Sequence, residues 1–189
     1  MLRLKVIQLY KNEENLIKKA KKQNRDAQRI LFDKYAPKML GACRQYIKDL
    51  QYAEDCMITA FAKAFKNLNT YNNQGSFEGW LRRIMVRECI DFLRAKKTIN
   101  YSTEEISTTD TPSVLPYNSL AVNELQELID QLPDGYRIVF NMFAVEGYKH
   151  QEIAEILGID VNTSKSQLYK ARKQLQKQYT KINVLQNGT

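Results

Sequence analysis

The stretch HQEIAEILGIDVNTSKSQLYKARKQL, His150–Leu175, reads as a helix, a tight turn and a second helix. Ile153, Leu157 and Ile159 supply the apolar crevice between the two helices. Ala154 is small, which lets the second helix approach closely, and Gly158 can take the left-handed conformation that the turn needs. Asp160 or Asn162 is placed to cap the second helix. That helix would display Thr163, Ser164, Lys165, Gln167, Lys170 and Arg172. Hydroxyl, amide and cationic groups of this kind reach phosphates and base edges in a DNA major groove. Any helical hairpin turning on glycine shares the outline, so charge must separate the two readings. The net charge is −6 over residues 120–160 and +6 over 161–189. Phosphate contact needs its cations on this second helix, where they begin.

Upstream, Leu125, Leu128, Ile129 and Leu132 form one apolar stripe, stopped at Pro133-Asp134, and Tyr136 to Val145 forms another, ended at Gly147. Before these lies TINYSTEEISTTDTPSVLPYNS, Thr98–Ser119, rich in Ser and Thr, with two prolines and a net charge of −3. It reads as a linker without a packed core of its own. The chain is thus expected to be all-α, with two small helical modules: residues 1–97, a linker at 98–119, and residues 120–189.

The first module carries +11 over residues 1–97. Ile30, Leu31, Tyr35, Met39, Cys43, Tyr46 and Ile47 recur at helical spacing, as do Met57, Ala60, Phe61, Ala64, Phe65 and Leu68. Pro37 is expected to bend or divide the first of these helices. Next comes GSFEGWLRRIMVRECIDFLRAKK, Gly75–Lys97, with the chain's one tryptophan. At ~100° per residue, Arg83, Arg87 and Arg94 fall within a sector of roughly 40°, with Phe77, Leu81, Met85 and Phe92 on the far side. Trp80 sits at the edge of the arginine stripe, and NLNTYNNQGS just before it adds Tyr71 and the amides Asn72, Asn73 and Gln74. Two readings are open for this helix. Phe77 and Trp80 are core beneath a solvated arginine face, or aromatics, amides and guanidinium groups hold nucleic acid whose bases are unstacked.

The chain is 43% hydrophobic and 26% charged, which is soluble-protein composition. No apolar run approaches the ~20 residues of a membrane span. MLRLKVIQLYKNEENL lacks the pattern of a signal peptide. Cys43, Cys56 and Cys89 form no C-x-x-C pair and read as buried free thiols of a reducing cytosol. With His150 as the one histidine, zinc sets using two or three histidines are excluded. No nucleophile–base pair or metal cluster emerges, so no catalytic residue, cofactor or small-molecule substrate is expected.

Taken together, AEDCMITAFAKAF (Ala53–Phe65), GSFEGWLRRIMVRECIDFLR (Gly75–Arg94) and LPDGYRIVFNMFAVEGYKHQEIAEILGIDVNTSKSQLYKAR (Leu132–Arg172) resemble an extracytoplasmic-function (ECF) sigma factor of bacterial RNA polymerase. The motifs stand in the order of sigma regions two and four and cover about Asn24 to Gln178. The resemblance implies that the first module binds the β′ clamp helices of core polymerase and melts the −10 promoter element. It implies that the second binds the β flap and reads the −35 element, while the linker threads toward the active centre. Glu54, Asp55 and Ile58 fall where the family meets the clamp. Asn69 to Ser76, with Asn69, Tyr71, Asn72, Asn73 and Ser76, corresponds to the loop that pockets a flipped base. Phe77, Trp80, Arg83 and Arg87 align with the helix lying along the −10 strand. A cytoplasmic location and an anti-sigma partner are implied as well. A stand-alone helix-turn-helix regulator would need only the second module, and would leave the tryptophan–arginine helix without a role.

Overall fold

A computed structural model describes residues 13–100 and 126–186. The chain forms two compact units, Met1–Thr109 and Asp110–Thr189. Every regular element among the described residues is helical.

In the first unit, helix α1 covers residues 13–21, α2 Arg25–Tyr46, α3 Leu50–Lys66 and α4 Phe77–Asn100, with a 3-10 turn at Leu68–Thr70. Each start has a local cause. Asn24 Oδ1 accepts from the Ala27 N–H at 2.8 Å, Asp49 Oδ1 from Tyr52 N–H at 3.0 Å, and Ser76 Oγ from Gly79 N–H at 3.0 Å. These side chains satisfy amide donors that a helix start otherwise leaves open. The core is built from Leu31, Tyr35 and Met39 of α2, Ala53, Ala60 and Phe61 of α3, and Phe77, Leu81 and Met85 of α4.

Two details refine the expectation. Pro37 does not divide α2, which runs unbroken to Tyr46. Pro37 and Asp33 are both exposed. Pro37 has no N–H for the Asp33 carbonyl, and the missing bond falls on the exposed face of α2. Ile30 leaves the apolar stripe and stands 49% exposed. The three cysteines, far apart in sequence, are buried free thiols on α2, α3 and α4. Cys89 shares hydrogen bonds with Cys43 and Cys56; these, with burial, hold its thiol protonated. Helix α4 also continues to Asn100, past the Lys97 at which the first module was expected to end. The rest of the expected linker, to Ser119, lies outside the described residues, as does Leu125 of the apolar stripe.

In the second unit, α5 is described over residues 126–130, followed by α6 (Asp134–Phe140), α7 (His150–Leu157) and α8 (Val161–Gln186). The Tyr136–Val145 stripe is not one uniform helix: Asn141–Val145 forms a π turn, where Glu146 N–H reaches back to the Asn141 carbonyl at 3.0 Å. Gly147, at φ +76°, ends it. Leu128, Leu132, Ile138, Val139, Met142, Ile153, Leu168 and Ala171 form the core. Arg137 is buried among them, 2% exposed, and its charge is met by Asp134 Oδ1 at 2.9 Å. The turn after α7 follows the sequence reading. Gly158 takes φ +65°, Ile159 N–H donates to the Ala154 carbonyl at 3.0 Å, and Asp160 Oδ1 accepts from Asn162 N–H at 2.7 Å.

Candidate nucleic-acid interface

Helix α4 in the first unit divides as its periodicity requires. Phe77, Leu81 and Met85 are buried, whereas Arg83, Arg87 and Arg94 are exposed. The flanks of α4 are pinned, because Glu78 pairs with Lys38 at 2.9 Å and Glu88 pairs with Lys63. Arg82 donates to Gln45 Oε1 at 3.1 Å, and Arg94 stands 3.7 Å from Asp91. Arg83 and Arg87, one turn apart, keep their guanidinium groups in solvent.

Trp80 stands beside them, half-buried. Its ring stacks on Phe77, with centroids 5.6 Å apart and planes at 28°, and lies 5.5 Å from Tyr71. The core reading of this helix therefore holds for Phe77, while Trp80 is only half-buried. Phe77 is core at 2% exposure and Tyr71 is buried at 6%, so neither is free to stack on a base; both support Trp80 from below. This corrects the direct contact expected of Tyr71 and Phe77. The Tyr71 hydroxyl is also taken, donating to the Gly75 carbonyl at 3.0 Å across the loop. Asn73 at φ +61° and Gly75 at φ +88° carry the loop through left-handed conformations, which asparagine and glycine tolerate best. Asn69, Asn72, Asn73, Gln74 and Ser76 are exposed around it. Ser76 is engaged in capping α4, a second task beside the one expected of it. Replacing it by alanine should cost about 1 kcal/mol of stability and by glycine only a few tenths, measured by urea unfolding.

Glu54, Asp55 and Ile58 share the solvent side of α3, opposite buried Ala53, Met57 and Ala60. Ile58 is 56% exposed, a large apolar side chain held in water between acidic neighbours.

On α8 of the second unit, Lys165, Lys170 and Arg172 are exposed, and Thr163 and Gln167 are half-buried. Gln167 packs back over Gly135, where an added Cβ would meet its amide at 3.3 Å. Lys170 leans over the Tyr136 ring at 6.0 Å and Arg172 over Phe143 at 5.6 Å. Ser164 departs from expectation: it is fully buried, and its Oγ shares a hydrogen bond of 2.9 Å with His150 Nδ1. It joins the two helices of the motif and does not face outward. The outward face instead carries Asn162, Ser166, Tyr169 and Lys173, with Tyr169 65% exposed. Sequence reasoning passed over them, although their spacing is the complement of buried Ser164, Leu168 and Ala171.

His150 also stacks on Phe143, with centroids 4.7 Å apart. Burial, then the charges of Lys165 and Arg172, hold its pKa below the ordinary 6.5. The unfolded chain therefore takes up a proton first as pH falls. The stability tied to the neutral ring is present above about pH 6.5 and is lost as pH falls through the lower folded value. Between about pH 7.5 and about pH 5, the second unit's melting temperature should fall further in the wild type than in His150→Gln, which titrates no ring. Equal falls in a thermal scan would remove His150 from the pH response.

Known proteins share this arrangement. A family model described as sigma-70 region 2 matches residues 31–99, and one described as sigma-70, region 4 matches residues 123–175. The ECF RNA polymerase sigma factor SigW of Bacillus subtilis is 32% identical over 175 residues, covering 86% of this chain and 94% of SigW. The sigma factor SigV of the same organism is 34% identical over 139 residues, 74% of this chain and 82% of SigV. Among solved structures, CnrH in complex with the cytosolic domain of CnrY covers 89% of this chain and 97% of its own, at a TM-score of 0.51 and 20% identity. RpoE in complex with the anti-sigma factor NepR from Bartonella quintana covers 79% and 94%, at 0.53 and 19%. These two likenesses bear on the fold. No described helix is long and apolar enough to cross a membrane. The relationship to SigW over 86% of this chain, with regions two and four in sequence, establishes that the chain belongs to the ECF RNA polymerase sigma factors, promoter-recognising initiation proteins that are not themselves enzymes.

Proposed function

We propose that residues 1–97 of this sigma factor capture the melted −10 strand and that residues 120–189 read the −35 duplex. The observation that carries the first half is the exposed Arg83–Arg87 pair beside Trp80, under a loop of amides. The guanidinium groups hold the strand's phosphates, the indole offers a stacking face, and Asn69, Asn72 and Asn73 read the edge of an extruded base. Tyr71, Phe77 and Ser76 act one layer back, fixing the indole and the helix start. Glu54, Asp55 and Ile58 form the contact with the β′ clamp helices. Unstacking a base costs a few kcal/mol, while an aromatic stack returns ~1–3 kcal/mol per base, so polymerase must share the work of opening a longer stretch.

On α8, Lys165, Lys170 and Arg172 contact phosphates, while Thr163, Gln167 and outward Tyr169 lie toward base edges. Ser164 keeps the two helices in register. The second unit also engages the β flap. The acidic segment 98–119 threads into the polymerase's nucleic-acid channel, where negative charge is tolerated. The protein works in the cytoplasm, where its polymerase is, and an anti-sigma protein of the kind bound to RpoE restrains it. Run-off transcription with purified core polymerase across a promoter library tests the whole reading. Transcripts that require this protein and share upstream elements support it. Binding of an operator without core polymerase would favour a stand-alone regulator instead.

A further inference from the structure

Helix α1 lies N-terminal to the matched region-two segment, yet it touches the candidate capture loop. Lys21 Nζ donates to the Tyr71 carbonyl at 2.5 Å, fifty residues along the chain, and stands 5.7 Å from the centre of the Tyr71 ring. The helix carrying Lys21 is independently seated. Ile17 and Ala20 are buried, and Gln28 Nε2 of α2 donates to the Ala20 carbonyl at 3.4 Å. Tyr71 passes the contact on. Its N–H closes the 3-10 turn on the Leu68 carbonyl, its hydroxyl spans the loop to the Gly75 carbonyl, and its ring lies against Phe77 and Trp80. One residue therefore holds both ends of the loop and the side of the indole, and Lys21 holds that residue.

We infer that Lys21 is a positioning residue for base capture, bracing the loop so that its amides stay outward and the free face of Trp80 stays open. The inference rests on the reading of residues 69–76 as the loop that receives an extruded base. A cationic donor suits the task. Its bond to a carbonyl in a partly buried site is stronger than a neutral one, and the half-buried ammonium loses its partner if the loop shifts.

The experiment uses the full chain, alone and assembled with core polymerase, with Lys21→Met, Lys21→Gln and Lys21→Arg. Trp80 is the one tryptophan, so acrylamide quenching of its fluorescence reports on the loop directly. The DNA probe is the tightest single-stranded oligonucleotide recovered from a randomised pool. Its companion carries an abasic site where loss of the base weakens wild-type binding most. In Lys21→Met, Trp80 quenching should fall as the unbraced loop settles over the indole, and affinity for the intact oligonucleotide should fall about tenfold, the scale of one charge-assisted hydrogen bond. Affinity for the abasic companion should stay unchanged, because the loop then has nothing to receive. Lys21→Arg should restore most of the affinity, and Lys21→Gln, which keeps a neutral donor, should fall between. Equal loss on both probes would make Lys21 a backbone contact or a general support and would overturn the inference. So would unchanged binding in Lys21→Met while wild type still discriminates the two probes. If no position of the probe is sensitive to base loss in the wild type, the base-capture reading fails and the inference falls with it.

Discussion

Replacing Arg83 and Arg87 together by alanine should lower open-complex formation by roughly a hundredfold at low salt, while binding of core polymerase stays close to wild type. The size follows from two charge-assisted hydrogen bonds at about 1.5–3 kcal/mol each, set against ~1.4 kcal/mol per tenfold change. The selectivity follows from the surroundings. Both guanidinium groups are exposed on α4, so their removal opens no cavity and strands no buried partner. Arg82 differs, since it holds Gln45 of α2, and its loss would mix binding with packing. Glu54, Asp55 and Ile58 lie on another helix, so the clamp contact proposed for them should be untouched. Permanganate footprinting of unpaired thymines on a promoter found by run-off transcription measures the opening. Fluorescence anisotropy with labelled sigma measures the core contact. A pre-opened bubble template separates strand holding from duplex approach. If the arginines hold the melted strand, the variant stays weak on the bubble. Wild-type footprints in the double variant would detach this stripe from promoter DNA.

The fold was largely written in local signals. Gly158, Asp160 and the apolar spacing around them specify the helix-turn-helix without help from distant residues, and the turn forms as those residues dictate. Asn24, Asp49 and Ser76 mark three helix starts in the same local way. The arginine stripe of α4 was equally legible, because a helix converts spacing directly into direction. What stayed hidden depends on partners far along the chain. The π turn at Asn141–Val145 has no local mark, since nothing in NMFAV distinguishes it from ordinary helix. Cys43, Cys56 and Cys89 meet only because three helices bring them together. Lys21 shows no sign in sequence of its bond to Tyr71. Two misreadings had warnings in the sequence. Phe77 was already on the apolar face by its angle. Ser164 lies four and seven residues before Leu168 and Ala171, which places it on their buried side. Residue chemistry suggested contact with DNA at both positions, but geometry had priority.

The second large effect concerns salt. Replacing Lys165 and Arg172 together by alanine should make the salt dependence of −35 duplex binding shallower by nearly two units of slope, because each phosphate neutralised on B-DNA contributes about 0.9. Between about 50 and 200 mM salt, the wild type should then lose about tenfold more affinity than the variant over the same interval. Both side chains are exposed on α8, at the point where the chain's charge turns positive. Arg172 is partly committed, leaning over Phe143 at 5.6 Å. A cation over an aromatic ring contributes ~0.5–1 kcal/mol at an exposed site, so its loss should cost the second unit little stability. Removing Lys165 and Arg172 also takes two cations from beside His150, which should raise that ring's pKa toward its ordinary value and narrow the pH response. Tyr169→Ala supplies the contrast. It removes an outward aromatic without charge, so it should lower affinity while leaving the slope as it was. A titration of holoenzyme against a −35 duplex at several salt concentrations reads both quantities at once. If the double variant keeps the wild-type slope, these two cations do not meet phosphate, and any phosphate contact by residues 161–189 falls to the other four.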